Sequence, residues 1–238
     1  MGKIFDVQFM IESIPAILTG IPDTLSIAFV AFAMGTVIGF AGALVKIYRV
    51  PVLRRMTDVY VSFVRGTPLI VQIFLIYYGI PILLRIINQK FGTNLDVSQI
   101  SATAFMFVAF SLNAGAYLTE TIRSAILAVD KGQMEAAYSV GMGSSQAMVR
   151  IILPQALKVG LPNISNSFIG LLKDTSLAFA ASVSEIMGQA KIVAGRASRF
   201  FEAYIVAAVI YWIICILFEQ VVKRVEAQVR KNEKGVSV

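Results

Sequence analysis

The sequence predicts an all-α membrane protein, and its composition and charge spacing are the observations behind that prediction. Of its 238 residues, 57% are hydrophobic and 15% are charged, whereas about a quarter of the residues of a soluble domain are charged. The mean hydropathy is +0.76. Uncharged runs of about 20 residues recur, which is the length that a helix needs to cross a bilayer. These features exclude a soluble globular enzyme and predict one membrane-embedded domain over residues 1–238.

Five spans and one short outer segment are expected from the uncharged runs. The spans cover approximately residues 20–46, 59–85, 98–126, 155–173 and 201–223. The run Thr175–Ser184 is too short to cross and is expected on the outer side. Pro68 is expected to bend the second span. The positive charge of Lys3 is balanced by Asp6, and no short apolar core with a cleavage site follows. We therefore expect no cleaved signal peptide.

Lysine and arginine residues cluster in alternate connections. They follow the first span, surround the third connection and continue after the last span: Lys46, Arg49, Arg54 and Arg55; Arg123, Lys131, Arg150 and Lys158; Lys223, Arg224, Arg230, Lys231 and Lys234. Because cytosolic connections are rich in such residues, we expect a multi-pass protein of the bacterial plasma (inner) membrane, with its N-terminus outside and its C-terminus in the cytosol. The stretch Glu185–Glu202 is then expected on the outer side, although its basic residues fit this orientation less well: Lys191, Arg196 and Arg199. The net charge of +7 follows from the same excess of lysine and arginine in the cytosolic connections. We therefore expect membrane lipid around the protein, and no nucleic-acid partner is needed to explain the charge.

Few kinds of catalytic chemistry are open to this chain. It has no histidine, and Cys215 is its only cysteine. This excludes disulfide frameworks, Cys/His zinc sites, Cys-ligated iron–sulfur clusters and triads with an imidazole base. No stretch reads G-x-x-x-x-G-K-[ST], so the chain has no phosphate-binding loop of that kind. We expect no catalytic residue, metal or cofactor in this chain, and energy from ATP would have to come from a partner.

Polar residues form a stripe on the third span. Four of them lie at i, i+4, i+7 and i+11 on one helical face: Asn113, Tyr117, Glu120 and Ser124. A polar stripe within lipid must face protein or water, so we expect this face to line a cavity. Gln72 is a further candidate from the second span. For Glu120, an i, i+3 ion pair with Arg123 at the membrane edge is the alternative.

The fourth span repeats the arrangement. Its polar and small residues lie at i, i+3, i+7 and i+10, followed by an aspartate: Asn163, Asn166, Gly170 and Lys173, then Asp174. From the helical rise, Asn113 and Asn166 are expected to meet near mid-depth. Glu120 would lie below them and Asp174 above. Such a cavity offers both signs of charge and neutral hydrogen-bonding groups, which suits a small zwitterionic solute. A structural ion pair between Lys173 and Asp174 is the alternative.

Small residues on the first span are spaced for close helix packing. Gly35 and Gly39 lie at i, i+4 and are followed by Gly42. Such spacing lets two helix backbones approach where lipid gives no hydrophobic drive to associate. We favour packing within the same bundle over a dimer seam, because glycine is common in membrane helices.

The cytosolic connection over residues 129–154 is expected to form two short helices joined at a glycine turn. Within MEAAYSVGMGSSQAMVRIILPQAL, Gly141 and Gly143 separate two helix-forming pieces, and Pro154 is expected to close the second. A small apolar face, suited to the groove of a partner protein, is offered by Ala136, Ala137, Val140 and Met142. An interfacial amphipathic linker is the alternative, although it would not need so defined a bend.

At these residues the sequence resembles the importer-type ABC permeases. The cytosolic stretch is similar to their EAA motif, with its landmarks in order at Glu135, Ala136, Ala137, Gly141, Ile152, Leu153 and Pro154. Three further motifs are similar to the polar amino-acid branch, the histidine, glutamine, arginine and cystine permeases: RGTPLIVQ at Arg65–Gln72, GAYLTETIR at Gly115–Arg123 and LLKDTSL at Leu171–Leu177. Within that branch the chain looks closest to the L-cystine permeases. It departs at Ser124 and Ala125, where many relatives have glycines.

The resemblance, which covers nearly the whole chain, implies a type I ABC importer permease fold of five transmembrane helices with a cytosolic coupling loop. It implies partner subunits that bind ATP and Mg²⁺, an external amino-acid-binding protein and a second permease copy, most simply in a homodimer. Solute contacts carried over from the branch are Asn113, Glu120, Asp174, Thr175 and Ser176; the stripes add Tyr117 and Asn166. The contact with the ATPase is expected at Glu135, Ala136, Ala137, Val140, Gly141 and Met142.

Two rival functions stay open at this point. An ATP-independent channel or ion-driven carrier could use the same cavity, but it would need ion-binding carboxylates in the spans or an inverted repeat. The spans offer only Glu120 and Asp174, with no clear repeat. A membrane-embedded enzyme would need a nucleophile, base or metal set, and the remaining Ser, Lys, Glu and Asp residues show no convincing pairing.

Overall fold

Helices build the structure, a computed structural model that describes residues 5–94, Asp96 and residues 99–234. In chain order they are α1 (Val7–Leu18), α2 (Ile21–Ile47), α3 (Pro51–Gly66), α4 (Leu69–Phe91), α5 (Ala102–Leu127), α6 (Lys131–Ser139), α7 (Ser144–Ala147), a π turn (Met148–Ile152), α8 (Leu153–Asp174), a 3₁₀ helix (Thr175–Ala181), α9 (Ile186–Ala197) and α10 (Phe200–Lys234). The predicted all-α fold is confirmed.

Among the described residues, four helices are long and apolar enough to cross a membrane: α2, α4, α5 and α10. A fifth crossing results if Ser144–Ala181 and α9, which meet at an angle of 48°, are counted as one broken span. The short segment Thr175–Ala181 therefore belongs to a helix break inside the bundle. It packs against α2, α4 and α9.

The second predicted span is divided into two helices. α3 ends at Gly66 and α4 begins at Leu69, so the break falls at Pro68, where the sequence predicts a bend. The side-chain amide of Gln72 donates to the carbonyl oxygens of Val64 at 2.8 Å and Thr67 at 3.0 Å. Carbonyls that the break leaves without helical partners are thus satisfied by one side chain.

The cytosolic connection contains the two short helices and the glycine turn that the sequence predicts. α6 is followed by Gly141 in the left-handed conformation, with φ 82°, and then by α7. The expectation that Pro154 closes the second helix is wrong, because α7 continues through the π turn directly into α8. Pro154 is the second residue of α8 and has no N–H, so it cannot donate a backbone hydrogen bond to the turn before it, which is the π turn.

The tightest packing in the bundle joins α2 to α5. A Cβ atom at Gly35 would lie 2.7 Å from the Cβ of Ala114, and one at Gly39 would lie 2.7 Å from the Cβ of Leu118. The interpretation of these glycines as packing residues within the bundle is confirmed. α5 also contacts α3, α4 and α8, so it is the central helix against which the others are arranged.

Candidate functional site

A cavity of about 230 Å³ lies between α2, α5 and α8, beside the break between α3 and α4. Three of the seven predicted solute contacts line it, Asn113, Tyr117 and Asp174. The other lining residues are Phe32, Thr67, Leu69, Ala114, Leu118, Ser167, Gly170 and Leu171. Thr67 and Ser167 add hydroxyl groups that the sequence prediction missed. Spacing along a single helix could have indicated Ser167, which lies seven residues before Asp174.

Asn113 connects this cavity to the break in the second span. Its side chain is buried and its Nδ2 donates to Oε1 of Gln72 at 3.0 Å. Nε2 of Gln72 donates in turn to the backbone carbonyl and the hydroxyl oxygen of Thr67, both at 3.0 Å. Gln72, a candidate for solute contact, is therefore committed to holding Asn113 and Thr67 at the cavity wall.

The two sides of α8 face different spaces. Ser167, Gly170 and Asp174, at i, i+3 and i+7, line the cavity. Asn166 and Lys173 line a wider groove of about 540 Å³ together with residues of α10: Glu219, Val222, Lys223 and Glu226. Because successive residues of a helix are rotated by about 100°, the predicted stripe crosses from one side to the other.

One expectation about these helices changes as a result. Asp174 lines the same cavity as Asn113. Asn166 and Asn113 do not share a cavity, since Asn166 faces α10. Helical rise fixes only the height of a residue, whereas the side of the helix decides which neighbour it meets.

Tyr117 and Asp174 are exposed polar residues of the cavity, and 45% of the surface of Tyr117 is accessible. The guanidinium carbon of Arg65, at the end of α3, lies 5.5 Å from the centroid of the Tyr117 ring. A cation held over an aromatic face is attracted by the ring electrons. Arg65 thus supplies a positive charge beside a cavity whose own carboxylate belongs to Asp174.

Glu120 lies one turn beyond Tyr117 and belongs to an ion cluster. Its carboxylate accepts hydrogen bonds from Nζ of Lys46 and, at 3.0 Å, from Nε of Arg123. Lys46 also pairs with Asp58 at 2.8 Å. Asp58 lies in the charged first half of α3, outside the helices long enough to span, and the hydrogen bond from Lys46 lowers its pKa below the usual value. The structure thus forms the predicted Glu120–Arg123 pair and gives Glu120 no place in the cavity lining.

Thr175 and Ser176 follow Asp174 at the start of the 3₁₀ helix. Thr175 is fully buried, and its hydroxyl donates to the carbonyl oxygen of Leu172 at 2.7 Å. Ser176 is half-buried. Neither lines the cavity. Within the described ranges, no group of three or more His, Cys, Asp or Glu side chains is placed to hold a metal ion.

The predicted ATPase contacts lie on α6 and the turn that follows it. Glu135 and Ala136 are exposed, and Val140 is exposed over 74% of its surface. Ala137 is buried and so faces the chain itself. Tyr138, missed by the sequence prediction, is 48% exposed. The accessible apolar surface therefore consists of Ala136, Tyr138 and Val140, with Gly141 setting the turn and Met142 half-buried.

Similarity to known proteins covers these helices and the cytosolic connection. Residues 35–231 match the family described as binding-protein-dependent transport system inner membrane component. The chain is 39% identical over 227 residues to the probable amino-acid ABC transporter permease protein PatM of Vibrio harveyi, covering 95% of this chain and 97% of that protein. It is 37% identical over 236 residues to the L-cystine transport system permease protein TcyL of Bacillus subtilis (strain 168), covering 99% and 96%.

Solved structures show the same arrangement of helices. A chain from the crystal structure of an amino acid ABC transporter with histidines is similar with a TM-score of 0.80 and 34% identity, over 95% of this chain and 100% of that one. A chain of the MetNI methionine ABC transporter in an inward-facing conformation gives a TM-score of 0.68 at 19% identity, over 90% and 96%. The second similarity concerns the fold alone.

Proposed function

The chain belongs to the family of binding-protein-dependent transport system inner membrane components, and from this premise we propose that it is the permease subunit of an ATP-driven importer for a polar amino acid, L-cystine in the first place. One observation carries the proposal. The two helices that supply Asn113, Tyr117 and Asp174 to the cavity, α5 and α8, are the two that the cytosolic connection joins. A displacement of that connection therefore reaches both walls of the cavity.

The lining of the cavity supports a zwitterionic solute. Asp174 offers a carboxylate for the ammonium group, and Arg65 beside Tyr117 offers a counter-charge for the solute carboxylate. The hydroxyls of Thr67 and Ser167 add neutral hydrogen-bonding groups. L-cystine is favoured because the sequence motifs look closest to those permeases and because TcyL is named as an L-cystine transport system permease protein. Four further residues stay predicted solute contacts without a place in this cavity: Glu120, Asn166, Thr175 and Ser176.

The proposed partners follow from the exposed surfaces and the family. ATP-binding subunits, which hold the ATP and Mg²⁺, would contact the accessible side of α6 at Glu135, Ala136 and Val140. Ala137 packs inward and Gly141 adopts positive φ, so both would maintain the shape of the loop. An external amino-acid-binding protein would deliver the solute, and a second copy of the chain would complete the pathway. The N-terminus would lie outside and the C-terminus in the cytosol.

In the proposed mechanism, closure of the ATPase subunits displaces α6 and α7. α5 and α8 then rotate, and the cavity opens alternately to either side. Such coupling requires that the solute and the ATPase each interact differently with the two states. The direct continuation of α7 through the π turn into α8 favours transmission, because no flexible loop intervenes.

Reconstitution of the permease with its ATPase subunits and binding protein in proteoliposomes tests the proposal. Ala136→Asp or Val140→Asp places a charge on the accessible apolar side of α6 and is expected to reduce ATP-dependent uptake to background while the chain stays inserted. Val225→Asp, at an exposed position of α10, is the matched control. A panel of L-cystine, L-histidine, L-glutamine and L-arginine identifies the solute. Normal uptake by both α6 variants contradicts the proposal, and uptake that persists without ATP supports the channel or carrier alternative.

A further inference from the structure

The break between α3 and α4 fixes the orientation of one side-chain amide. Pro68 has no N–H, so the carbonyl oxygen of Val64, four residues earlier, lacks its helical donor. Nε2 of Gln72 takes the place of that donor, at 2.8 Å from the Val64 oxygen and 3.0 Å from the carbonyl oxygen of Thr67. A carbonyl oxygen can only accept a hydrogen bond. The nitrogen of Gln72 must therefore face the break, and its oxygen Oε1 must face away from it.

The orientation of Gln72 determines that of Asn113 in turn. Oε1 of Gln72 can only accept, so the group that meets it at 3.0 Å is Nδ2 of Asn113. Both side chains are more than nine-tenths buried, with 6% and 7% of their surfaces exposed. Turning either amide over would set oxygen against oxygen and leave buried groups unpaired, which is costly. Oδ1 of Asn113 is therefore directed away from Gln72.

Oδ1 of Asn113 opens to the cavity. It accepts a hydrogen bond from none of the described groups, although no buried side-chain oxygen or nitrogen among the described residues lacks a partner. Oδ1 must therefore be accessible, and the space beside it is the cavity that Asn113 lines. A nearly buried side chain with an acceptor directed into a cavity is best satisfied by a donor there.

The small hydroxyl groups of the wall also present acceptors. The hydroxyl of Thr67 donates to the carbonyl oxygen of Phe63 at 2.9 Å, and that of Ser167 donates to the carbonyl oxygen of Asn163 at 2.8 Å. Each hydroxyl has one proton, so both offer lone pairs to the cavity. Asp174 adds its carboxylate. These oxygens match the three N–H donors of an ammonium group.

We propose that Gln72 is a positioning residue that holds the oxygen of Asn113 toward the solute, where Asn113 and Asp174 together bind the ammonium group. The inference rests on the proposed function, because it assigns this wall of the cavity to one end of the solute. Without Gln72, the amide of Asn113 would be free to turn its N–H groups toward the carboxylate of Asp174. The protein itself would then occupy the acceptor that the solute needs.

Three substitutions separate the orientation of Asn113 from the packing of the break. Gln72→Met keeps the length of the side chain but removes both the donor to the break and the acceptor for Asn113. Gln72→Glu also removes the amide donor, yet it keeps an oxygen for Nδ2 of Asn113. Asn113→Leu leaves the hydrogen bonds of Gln72 to the break intact and removes the oxygen from the cavity. Gln155→Met is the matched control, because Nε2 of Gln155 also donates to a backbone carbonyl, that of Ile151 at 3.0 Å.

The experiment measures equilibrium binding of labelled L-cystine to the purified complex of permease and ATPase subunits without the binding protein. Dithiodipropionate, which carries hydrogen in place of each ammonium group of cystine, competes as the second probe. If another amino acid of the panel binds the wild type instead, that amino acid and its deamino analogue are used.

We expect Gln72→Met to weaken L-cystine binding about 3- to 10-fold and dithiodipropionate binding less than about twofold, because only the ammonium group loses its acceptor. Asn113→Leu should reduce the preference for L-cystine over dithiodipropionate at least as far. Gln72→Glu and Gln155→Met should keep that preference. If Gln72→Met fails to insert, Asn113→Leu and Gln72→Glu decide, with the preference reduced in the first and kept in the second.

An unchanged preference in Gln72→Met or Asn113→Leu would overturn the role of Gln72. An equal loss of affinity for both probes would overturn it as well, since a collapsed break would produce that result, and so would a preference lost in Gln72→Glu as far as in Gln72→Met.

Asp174→Asn in the same series separates the two proposals. If Asp174→Asn weakens L-cystine binding but Gln72→Met keeps the preference of the wild type, only the role of Gln72 fails. If Asp174→Asn binds normally, or the wild type binds no amino acid of the panel, the proposed function fails, and the role of Gln72 fails with it.

Discussion

Tyr117 and Glu120 lie one turn apart on α5, and their surroundings differ sharply. Tyr117 opens onto the cavity and carries the cation contact with Arg65. Glu120 is enclosed by Lys46 of α2 and by Arg123. A polar group inside a membrane protein needs other interactions in place of those that it would make with water. One helix face provides them in two ways: Tyr117 faces an open cavity, whereas Glu120 receives counter-charges from α5 itself and from the neighbouring α2.

Asp174→Asn tests the cavity half of this comparison and should have the largest effect. Loss of the charge removes a charge-assisted hydrogen bond to the solute ammonium group, which is worth about 1.5–3 kcal/mol and corresponds to about 10- to 100-fold in affinity. The measurement is equilibrium binding of labelled L-cystine to the complex. Lys173→Gln, the adjacent residue on the α10 side of α8, is the control. An equal loss in both variants would mean that the two sides of α8 are not functionally distinct.

Lys46→Met and Glu120→Gln test the ion cluster. Each leaves a partly buried group without its partner, since the side chains of Lys46 and Glu120 are 15% and 22% exposed. We expect a loss of about 1–2 kcal/mol in the free energy of unfolding, seen as a fall of about 2–8 °C in the unfolding midpoint, with solute affinity changed by less than about threefold. The charge swap Lys46→Glu with Glu120→Lys should recover part of the loss.

If Glu120→Gln instead weakens solute binding and leaves the unfolding midpoint unchanged, the structural role of Glu120 is contradicted. That result would reassign Glu120 to the solute, which is the role that the family resemblance implies.

Tyr117→Leu tests the aromatic contact within the cavity. Removing the ring releases Arg65, and a cation–π contact at an accessible site is worth about 0.5–1 kcal/mol, or about 2- to 5-fold in affinity. Tyr117→Phe keeps the ring and should bind nearly as the wild type does. Binding curves for the two variants decide between the ring and the hydroxyl. A larger loss in Tyr117→Phe would identify the hydroxyl as the group that the solute uses.

Asn166→Ala should have the smallest effect, less than about twofold in affinity, because Asn166 faces the groove beside α10. Asn113→Ala is the comparison, since Asn113 lines the cavity and holds Gln72. The same binding assay measures both. If Asn166→Ala binds as weakly as Asn113→Ala, both asparagines contact the solute, as the sequence stripes predict.

Much of the fold could be predicted from the sequence, because charge-free length and helix-breaking residues are local properties. The apolar spans, the break at Pro68 and the turn at Gly141 are of this kind. Gly35 and Gly39 predicted close packing correctly, but nothing in their spacing indicated that α5 would be the partner.

The site was harder to predict because it depends on which helices are neighbours. The sequence indicates Lys46 only as a charge that orients the protein, yet its Nζ pairs with the carboxylate of Glu120. Glu185 lies in a stretch expected on the outer surface, and its burial requires the packing of α2 and α10 around it. Three of the seven predicted contacts meet in the cavity because α5 and α8 turn the matching sides toward each other.

The π turn at Met148–Ile152 determines the direction around the helix axis in which the later residues of α8 point. Each residue added to or removed from that turn would rotate the rest of the helix by about 100°. One inserted residue would carry Lys173 to the place of Asp174 and reverse the charge that the cavity presents. Substitutions on the exposed surface of the loop leave the direction of Asp174 unchanged. An insertion or deletion between that surface and Asp174 turns its carboxylate away from the cavity.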